Sequence, residues 1–338
     1  MFLHLVERIA TFLGQGTRAL LLSPGSSFSI ASLLSALCIA ITVVLVRRRP
    51  GKKVVGYRVM FRALFPNWLR RRSFRADIWF LVLNVFAFGV MFGWTLISTQ
   101  YVSGAVAGAL TRTFGVPPTL AMHEGGSRVL VTVFLFLAYE LAYWFDHYLS
   151  HRVAFLWEFH KVHHTAEVLS PLTNFRVHPV DSIVFSNIVA LIVGPTAGVL
   201  AYLHFGNPFV VDGTNVILIG FVFLTVHLQH SHVWLAVTGA PGRLILSPAH
   251  HQIHHSDNPI HFDKNFGSCL SIWDWVFGTL HMPRREREYL TFGVETRAAV
   301  DHTARGSLFL PFVRAWNRLP FPRLPSRQLL SKPATPER

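Results

Sequence analysis

The sequence predicts an all-α integral membrane protein: two transmembrane hairpins plus an N-terminal transmembrane helix, with a cytoplasmic, helical, histidine-rich cap. Three observations carry this prediction. Hydrophobic residues make up 51% of the 338 residues and charged residues only 14%, where a soluble domain carries about 25% charged. Several apolar runs approach the roughly 20 residues that cross a bilayer as a helix. Fifteen of the 19 histidines fall between His147 and His261.

The elements follow in order. Residues 1–24 lack a basic start, carry Glu7 and offer no small-residue cleavage site, so no cleavable signal peptide is expected. Phe2, Leu5, Val6, Ile9, Phe12 and Leu13 fit one apolar face of a surface helix, with a disordered or packed segment as the other reading. Residues 27–46 read as a spanning helix ending in Arg47, Arg48 and Arg49, and residues 78–97 as a second, preceded by Arg70, Arg71, Arg72 and Arg75. Residues 129–146 make a third. Residues 183–204 and 209–227 make two more, joined by the turn Gly206-Asn207-Pro208. The stretch 99–126, with its glycines and Pro117-Pro118, reads as an external loop. Three regions result: a surface segment, transmembrane helix and basic linker over 1–76, a membrane domain over 77–282, and a basic, proline-rich extension over 283–338. The tail from Arg305 reads as surface-lying or partly disordered, its basic residues facing solvent or anionic headgroups.

Charge supplies the orientation. Of the 31 Lys and Arg, eleven lie in 47–75 and sixteen from Arg152 onward, leaving Arg8, Arg18, Arg112 and Arg128. If the basic side is cytoplasmic, then 47–77, the region after 147 and everything after 227 lie inside, in a bacterial inner membrane or an endoplasmic reticulum. The formal charge of +14 therefore reads as membrane orientation. Nucleic-acid binding is not expected, because the basic residues flank apolar segments instead of interleaving with aromatics on a soluble module. Cys38 and Cys269 are too few and too distant for a disulfide framework or a cysteine-based zinc site.

The histidine spacing is the strongest signal. His147 and His151 are four apart and share one helix face. His160, His163 and His164 follow i, i+3, i+4, and His251, His254 and His255 repeat that pattern. His227 and His230 are three apart at the end of an apolar run. At this histidine content an HxxHH pattern arises by chance about 0.06 times per chain, so two occurrences need a cause. Neutral imidazole is a ligand for zinc, copper, iron or nickel. Eight or more such ligands exceed what one ion uses, which points to two.

The order of these stretches resembles the fatty acid hydroxylase/sterol desaturase superfamily. It rests on His147-x3-His151, His160-Lys161-Val162-His163-His164, Arg176-Val177-His178-Pro179-Val180-Asp181, Gln229-His230-Ser231, and Ser247-Pro248-Ala249-His250-His251-Gln252-Ile253-His254-His255. Asp263-Lys264-Asn265-Phe266-Gly267 and Trp273-Asp274-Trp275-Val276-Phe277-Gly278-Thr279 continue it, so that residues 130–281 are covered. The resemblance implies a non-haem di-iron centre of two iron ions, molecular oxygen as co-substrate and a membrane lipid (sterol, fatty acyl or related) hydroxylated or desaturated at a C–H bond. The ligands it implies are His147, His151, His160, His163, His164, His230, His251, His254 and His255, with His227 a weaker tenth. The chain departs from the family pattern at Tyr148, where Arg is frequent, at Glu140, where Asp is common, and at His232, where Asn is frequent, which leaves open which of His227, His230 and His232 bind.

Supporting roles have bland rivals. Glu140, two turns before His147, is either an acceptor for a ligand imidazole or a structural hydrogen-bond partner. Asp146, Asp181 and Asp274 stand as further candidates to anchor ring N–H groups. His178, before Pro179, assists the site or fixes a loop. Asn265 and Gly267 shape a turn, and His250 is a neighbour of the ligands. No dinucleotide fingerprint or iron–sulfur cysteine cluster is present, so a separate ferredoxin- or reductase-like electron donor is expected. The rival functions are a membrane zinc hydrolase, which needs no oxygen, and a metal transporter or haem electron carrier, betrayed by a haem absorption band or by ligands along a path across the membrane.

Overall fold

The computed structural model describes residues 2–26, 28–46, 71–88, 96–117, 122–294 and 299–319. The described residues are mostly helical, and their sheet content is one two-stranded hairpin, β1 (Val210–Val211) against β2 (Thr214–Asn215), with Val210 opposite Asn215. The helices are α1 (Phe2–Leu22), α2 (Ile30–Val46), α3 (Arg72–Val82, continued by a π-helical turn Leu83–Phe88), α4 (Thr99–Phe114), α5 (Glu124–Arg152), α6 (Ala154–His164), α7 (Pro179–Tyr202), α8 (Val216–Gln229, with a π-helical stretch inside), α9 (Pro248–His254), α10 (Ile272–Phe277) and α11 (Ala304–Trp316).

Two of these helices, α5 and α7, are long and apolar enough to cross a membrane. Each starts with a recognisable cap. The His123 side chain accepts from Gly125 N–H at the start of α5, and His178 accepts from Val180 N–H at the start of α7, where Pro179 occupies the first turn. Large apolar side chains stay exposed along both, among them Val129 and Phe134 on α5 and Leu191 on α7. Such a surface suits lipid. The two helices run antiparallel. The Ser127 hydroxyl at the start of α5 donates to Phe205 O just beyond the end of α7, while Asp181 near the start of α7 meets His160 just beyond the end of α5. Apolar α8 begins beside α5, with Asn215 Nδ2 donating to Thr132 O at 2.8 Å, and runs toward that same His160 end.

The N-terminal span expected over 27–46 contains the apolar α2, with 17 residues described. It packs Ala36 and Ala40 in one apolar cluster with Leu228 and Val233. The N-terminal segment is helical (α1). Of the span expected over 78–97, the described residues show helix through Phe88, and 89–95 lie outside them. The linker 47–70 and the tail beyond 319 also lie outside the described residues.

One expectation is corrected. The stretch 99–126 is no continuous loop, because Thr99–Phe114 forms α4, capped by the Ser98 hydroxyl accepting from Tyr101 N–H. Its glycines suggested a loop, yet none of its residues is buried in the protein, and the helix is held by close approach to α7. A Cβ built on Gly194 would lie 2.7 Å from Val102 Cβ, and one on Gly198 would lie 2.7 Å from Ser103 O and from Val106 Cβ. The Gly194-x3-Gly198 spacing clears a shelf on α7 that lets the α4 backbone approach, the usual way apolar helices associate in lipid.

The extension also carries more structure than expected: α11 packs on α6, with Gly306, Ser307, Pro311 and Ala315 buried. Replacing Gly198 with Leu should force α4 away from α7 and lower stability by about 1–3 kcal/mol, typical of overpacking. Thermal unfolding in detergent measures this. Gly220→Ala, where the added methyl meets nothing within 4 Å, serves as the control that should leave the transition unchanged.

Candidate metal centre

Four helix ends converge on one region. The last turns of α5 present His147 and His151, and α6 presents His160, His163 and His164. His230 caps the end of α8, while α9 supplies His251 and His254 and is capped by His255. The α9 start is fixed locally: Ser247 precedes Pro248, and Ser247 N–H donates to His250 Nδ1 at 3.2 Å. That use of His250 as a cap explains why it stays outside the histidine groups.

Nine imidazoles form two groups. His147, His151, His160, His164 and His254 make one, and His163, His230, His251 and His255 the other, with the ligand atoms of each within 4.8 Å of one another. Each HxxHH motif is divided between them. The i, i+4 pair His160 and His164 joins the first group while His163 points to the second; His251 and His255 join the second while His254 points to the first. On a helix, positions i and i+4 lie 40° apart on average and i+3 falls on their other flank, so one short helix reaches both groups. The groups adjoin, with the His164 and His255 rings stacked at 4.6 Å.

The nitrogens are oriented from behind. His147 Nδ1 donates to Phe266 O at 2.8 Å, His254 Nδ1 to Lys264 O at 2.8 Å and His163 Nδ1 to Arg176 O at 3.3 Å. His160 Nδ1 meets Asp181 Oδ2 at 3.1 Å, and His151 Nδ1 lies 3.7 Å from Asp263 Oδ1. A carbonyl only accepts, so those Nδ1 atoms carry the hydrogen and the Nε2 lone pairs face inward. Two of these inward atoms, His147 Nε2 and His160 Nε2, are buried without any hydrogen-bond partner.

Inside each group the lone-pair atoms crowd. His230, His251 and His255 form a triangle of Nε2 atoms with sides of 3.0, 3.1 and 3.1 Å, and His163 Nε2 lies 3.1 Å from that of His230. In the first group, His164 Nε2 lies 3.2 Å from Nε2 of both His151 and His254. A neutral imidazole nitrogen is either a donor or an acceptor. Among three mutually close nitrogens, at least one pair must therefore be donor against donor or acceptor against acceptor. Hydrogen bonding cannot satisfy the triangle; a shared cation can. Nitrogens at right angles around one ion, with bonds of about 2.1 Å, lie about 3.0 Å apart. The donor set fits a metal ion in each group.

Burial keeps these rings neutral. It is the largest cause that lowers His163, His164, His251 and His255 well below the usual imidazole range, with neighbouring histidines adding to the effect. The same causes bring His230 and His254 down to about 3. Neutral rings keep their lone pairs available at physiological pH.

The other candidates are distributed around this core. His227 lies outside both groups, its Nε2 2.9 Å from Ser32 Oγ, and His232 belongs to neither. Glu140 contacts no imidazole: its Oε2 accepts from Cys269 and Leu270 N–H, each at 2.8 Å. Asp274 accepts from Phe266 N–H, Gly267 N–H, Trp144 Nε1 and the Thr279 hydroxyl. These two carboxylates pin the loop 265–271 against α5, and that loop presents the Phe266 carbonyl to His147. Asn265, at φ 59°, donates to His250 O and His281 O and accepts from His281 N–H. A Cβ on Gly267 would lie 2.1 Å from Leu270 O, so only glycine fits there. His178 caps α7 and lies 3.1 Å from Leu308 O, outside the groups. Asp146 is buried beside them with Oδ1 unpaired among the described residues.

Sequence reasoning missed Arg176 as a structural hub. Its side chain is 0% exposed, pairs with Asp77 at 3.0 Å, and donates to Val162 O, Thr165 Oγ1 and Ser73 O. It ties α3 to the end of α6, and its own carbonyl receives His163. A lone aspartate opening an apolar run was the available signal for Asp77.

Comparison with known proteins agrees with this geometry. Residues 132–279 match the family described as fatty acid hydroxylase. Alkylglycerol monooxygenase of Danio rerio is 30% identical over 148 residues, covering 43% of this chain and 29% of the relative. Lathosterol oxidase of Mus musculus is 29% identical over 159 residues, 46% of each protein. Ornithine lipid hydroxylase OlsE of Rhizobium tropici is 28% identical over 149 residues, covering 43% and 40%. The matched stretch thus spans less than half the length of each of these relatives. No solved structure matches the chain. The stretch that matches the fatty acid hydroxylase family, residues 132–279, contains all nine clustered histidines, and the relatives' names support the fatty acid hydroxylase/sterol desaturase superfamily for it.

Proposed function

We propose that this chain is an oxygen-dependent membrane lipid hydroxylase or desaturase working with two iron ions. The carrying observation is the triangle of Nε2 atoms on His230, His251 and His255, which only a shared cation relieves. One ion is assigned to His147, His151, His160, His164 and His254, the other to His163, His230, His251 and His255. His227 is left out of the ligand set because Ser32 engages its Nε2.

The choice of iron rests on chemistry. Imidazole sets suit iron, zinc, copper or nickel, but zinc has no redox chemistry, and the relatives are named for a monooxygenase, an oxidase and a hydroxylase. When bound, the iron supplies the oxidising power for a C–H bond. The chain's own contribution is orientation and dryness: backbone carbonyls and Asp181 hold His147, His254, His163 and His160 from behind, and Trp157 and Phe266 pack against His151 at ring-centroid distances of 4.9 and 5.0 Å. Hydroxylation balances as lipid C–H plus O2, two electrons and two protons giving C–OH and water. A separate ferredoxin- or reductase-like donor supplies the electrons. The basic flanks support a cytoplasmic site, and the relatives' names (an alkylglycerol, a sterol, an ornithine lipid) support a lipid substrate.

His254→Ala and His163→Ala should each abolish lipid oxidation and lower bound iron while the protein still fractionates with membranes. Full activity in a variant that keeps its iron would overturn the ligand assignment. Asp181→Ala, which removes the acceptor behind His160, should cost about 10–100-fold in metal affinity or activity, the usual loss when the partner of a ligating histidine goes. Purified protein given lipid, donor and oxygen should add one oxygen atom to the lipid or remove two hydrogens, as read by mass spectrometry. Undiminished turnover under argon would instead favour a zinc hydrolase.

A further inference from the structure

Helix α11 lies outside the matched stretch and has no part in the metal centre, yet its two faces are sharply different. Gly306, Ser307, Pro311 and Ala315 are buried against the body of the protein. Phe309, Phe312 and Val313 are 64%, 50% and 58% exposed, and Trp316 follows on the same stripe at 66%. Positions 309, 312, 313 and 316 repeat at i, i+3, i+4 and i+7, so the exposed residues form one apolar face. Arg305, exposed, precedes the stripe, and Arg318, exposed, follows it.

The helix is held firmly in that orientation. Phe159 of α6 meets the Phe312 ring at 5.1 Å, Arg318 Nε donates to Glu158 Oε1 at 3.1 Å, and Arg314 pairs with Asp301 at 2.8 Å. Its level in the molecule is fixed by His178, whose Nε2 lies 3.1 Å from Leu308 O. His178 is also the N-cap of α7, one of the two helices long enough to cross a membrane. Helix α11 therefore sits at the level where α7 starts.

We infer that α11 is an interfacial helix whose Phe309, Phe312, Val313 and Trp316 face enters the bilayer surface at the end of α7. Continuity with α7 and a stripe of bulky aromatics bounded by arginines select lipid as the occupant, because an apolar face rimmed by basic residues matches acyl chains below anionic headgroups. Since α11 rests on α6, which carries His160, His163 and His164, its insertion sets the depth of the histidine groups against the headgroup layer. This placement holds independently of which metal, if any, the groups bind.

The test is spin-label accessibility on the full chain in vesicles of phosphatidylethanolamine and phosphatidylglycerol. Single labels go on Phe309→Cys, Val313→Cys and, as a water-facing control, Glu286→Cys, all in a Cys38→Ser background; Cys269, 0% exposed, stays. The labels at 309 and 313 should collide more with molecular oxygen than with a water-soluble nickel chelate, and the label at 286 should show the reverse order. Free access of the chelate to 309 and 313 in vesicles would overturn the inference. So would dipolar broadening between labels on separate molecules, which would name a second copy of the chain as the occupant.

Discussion

Nine imidazoles, drawn from segments up to 108 residues apart in sequence, crowd their ring nitrogens into two small volumes, and that arrangement is unfavourable without a cation. The triangle among His230, His251 and His255 cannot be closed by hydrogen bonds, and His147 Nε2 and His160 Nε2 have none. An unpaired buried polar group costs about 1–3 kcal/mol, and here several occur together. The fold around the groups reads as the scaffold that tolerates this cost: apolar helices deliver their histidines at one end, and backing carbonyls and carboxylates meet five of the nine rings, whereas Nδ1 of His230, His251 and His255 has no hydrogen-bond partner among the described residues.

The backing atoms explain why five of the nine rings cannot turn away. Three of the five Nδ1 anchors are main-chain carbonyls, from Lys264, Phe266 and Arg176. Two of those carbonyls, from Phe266 and Arg176, are positioned in turn by buried carboxylates with no direct contact to a ring. Glu140 and Asp274 hold the 265–271 loop, and Asp77 holds Arg176. The apolar helix α5 can carry a carboxylate at Glu140 because two backbone N–H groups, each 2.8 Å away, take up its Oε2. Those two bonds tie the 265–271 loop to α5.

This division decides what was legible in the amino-acid sequence. The HxxxH and HxxHH spacings were readable because helical periodicity converts spacing directly into direction, and the split of each HxxHH between two groups is the same periodicity one step finer. His227 satisfied the spacing argument but not the geometry, since α2 brings Ser32 to its Nε2; a contact across 195 residues leaves no local trace. Asp181, among three candidate aspartates, is the one that meets a ring, which again depends on where α7 starts relative to α6. Helix α4 was hidden because its glycines resemble a loop until the Gly194-x3-Gly198 shelf on the partner helix is considered, and carbonyl anchors are invisible in any sequence, every residue having one.

The remaining step concerns access. On the proposed reading, a lipid carbon must reach the histidine groups without water flooding a buried site. Placing the groups at the ends of apolar helices meets both needs, because a chain can arrive from the membrane while charged carriers approach from the basic side. That solution works only if the depth of the groups is held within narrow limits. Two crossing helices can slide or tilt in the bilayer with little penalty, whereas a helix lying in the interface resists movement along the membrane normal in either direction: upward it exposes Phe309 and Val313 to water, downward it drags Arg305 and Arg318 into hydrocarbon. With α6 bearing three of the clustered histidines directly on such a helix, the chemistry and the depth gauge are parts of one rigid contact.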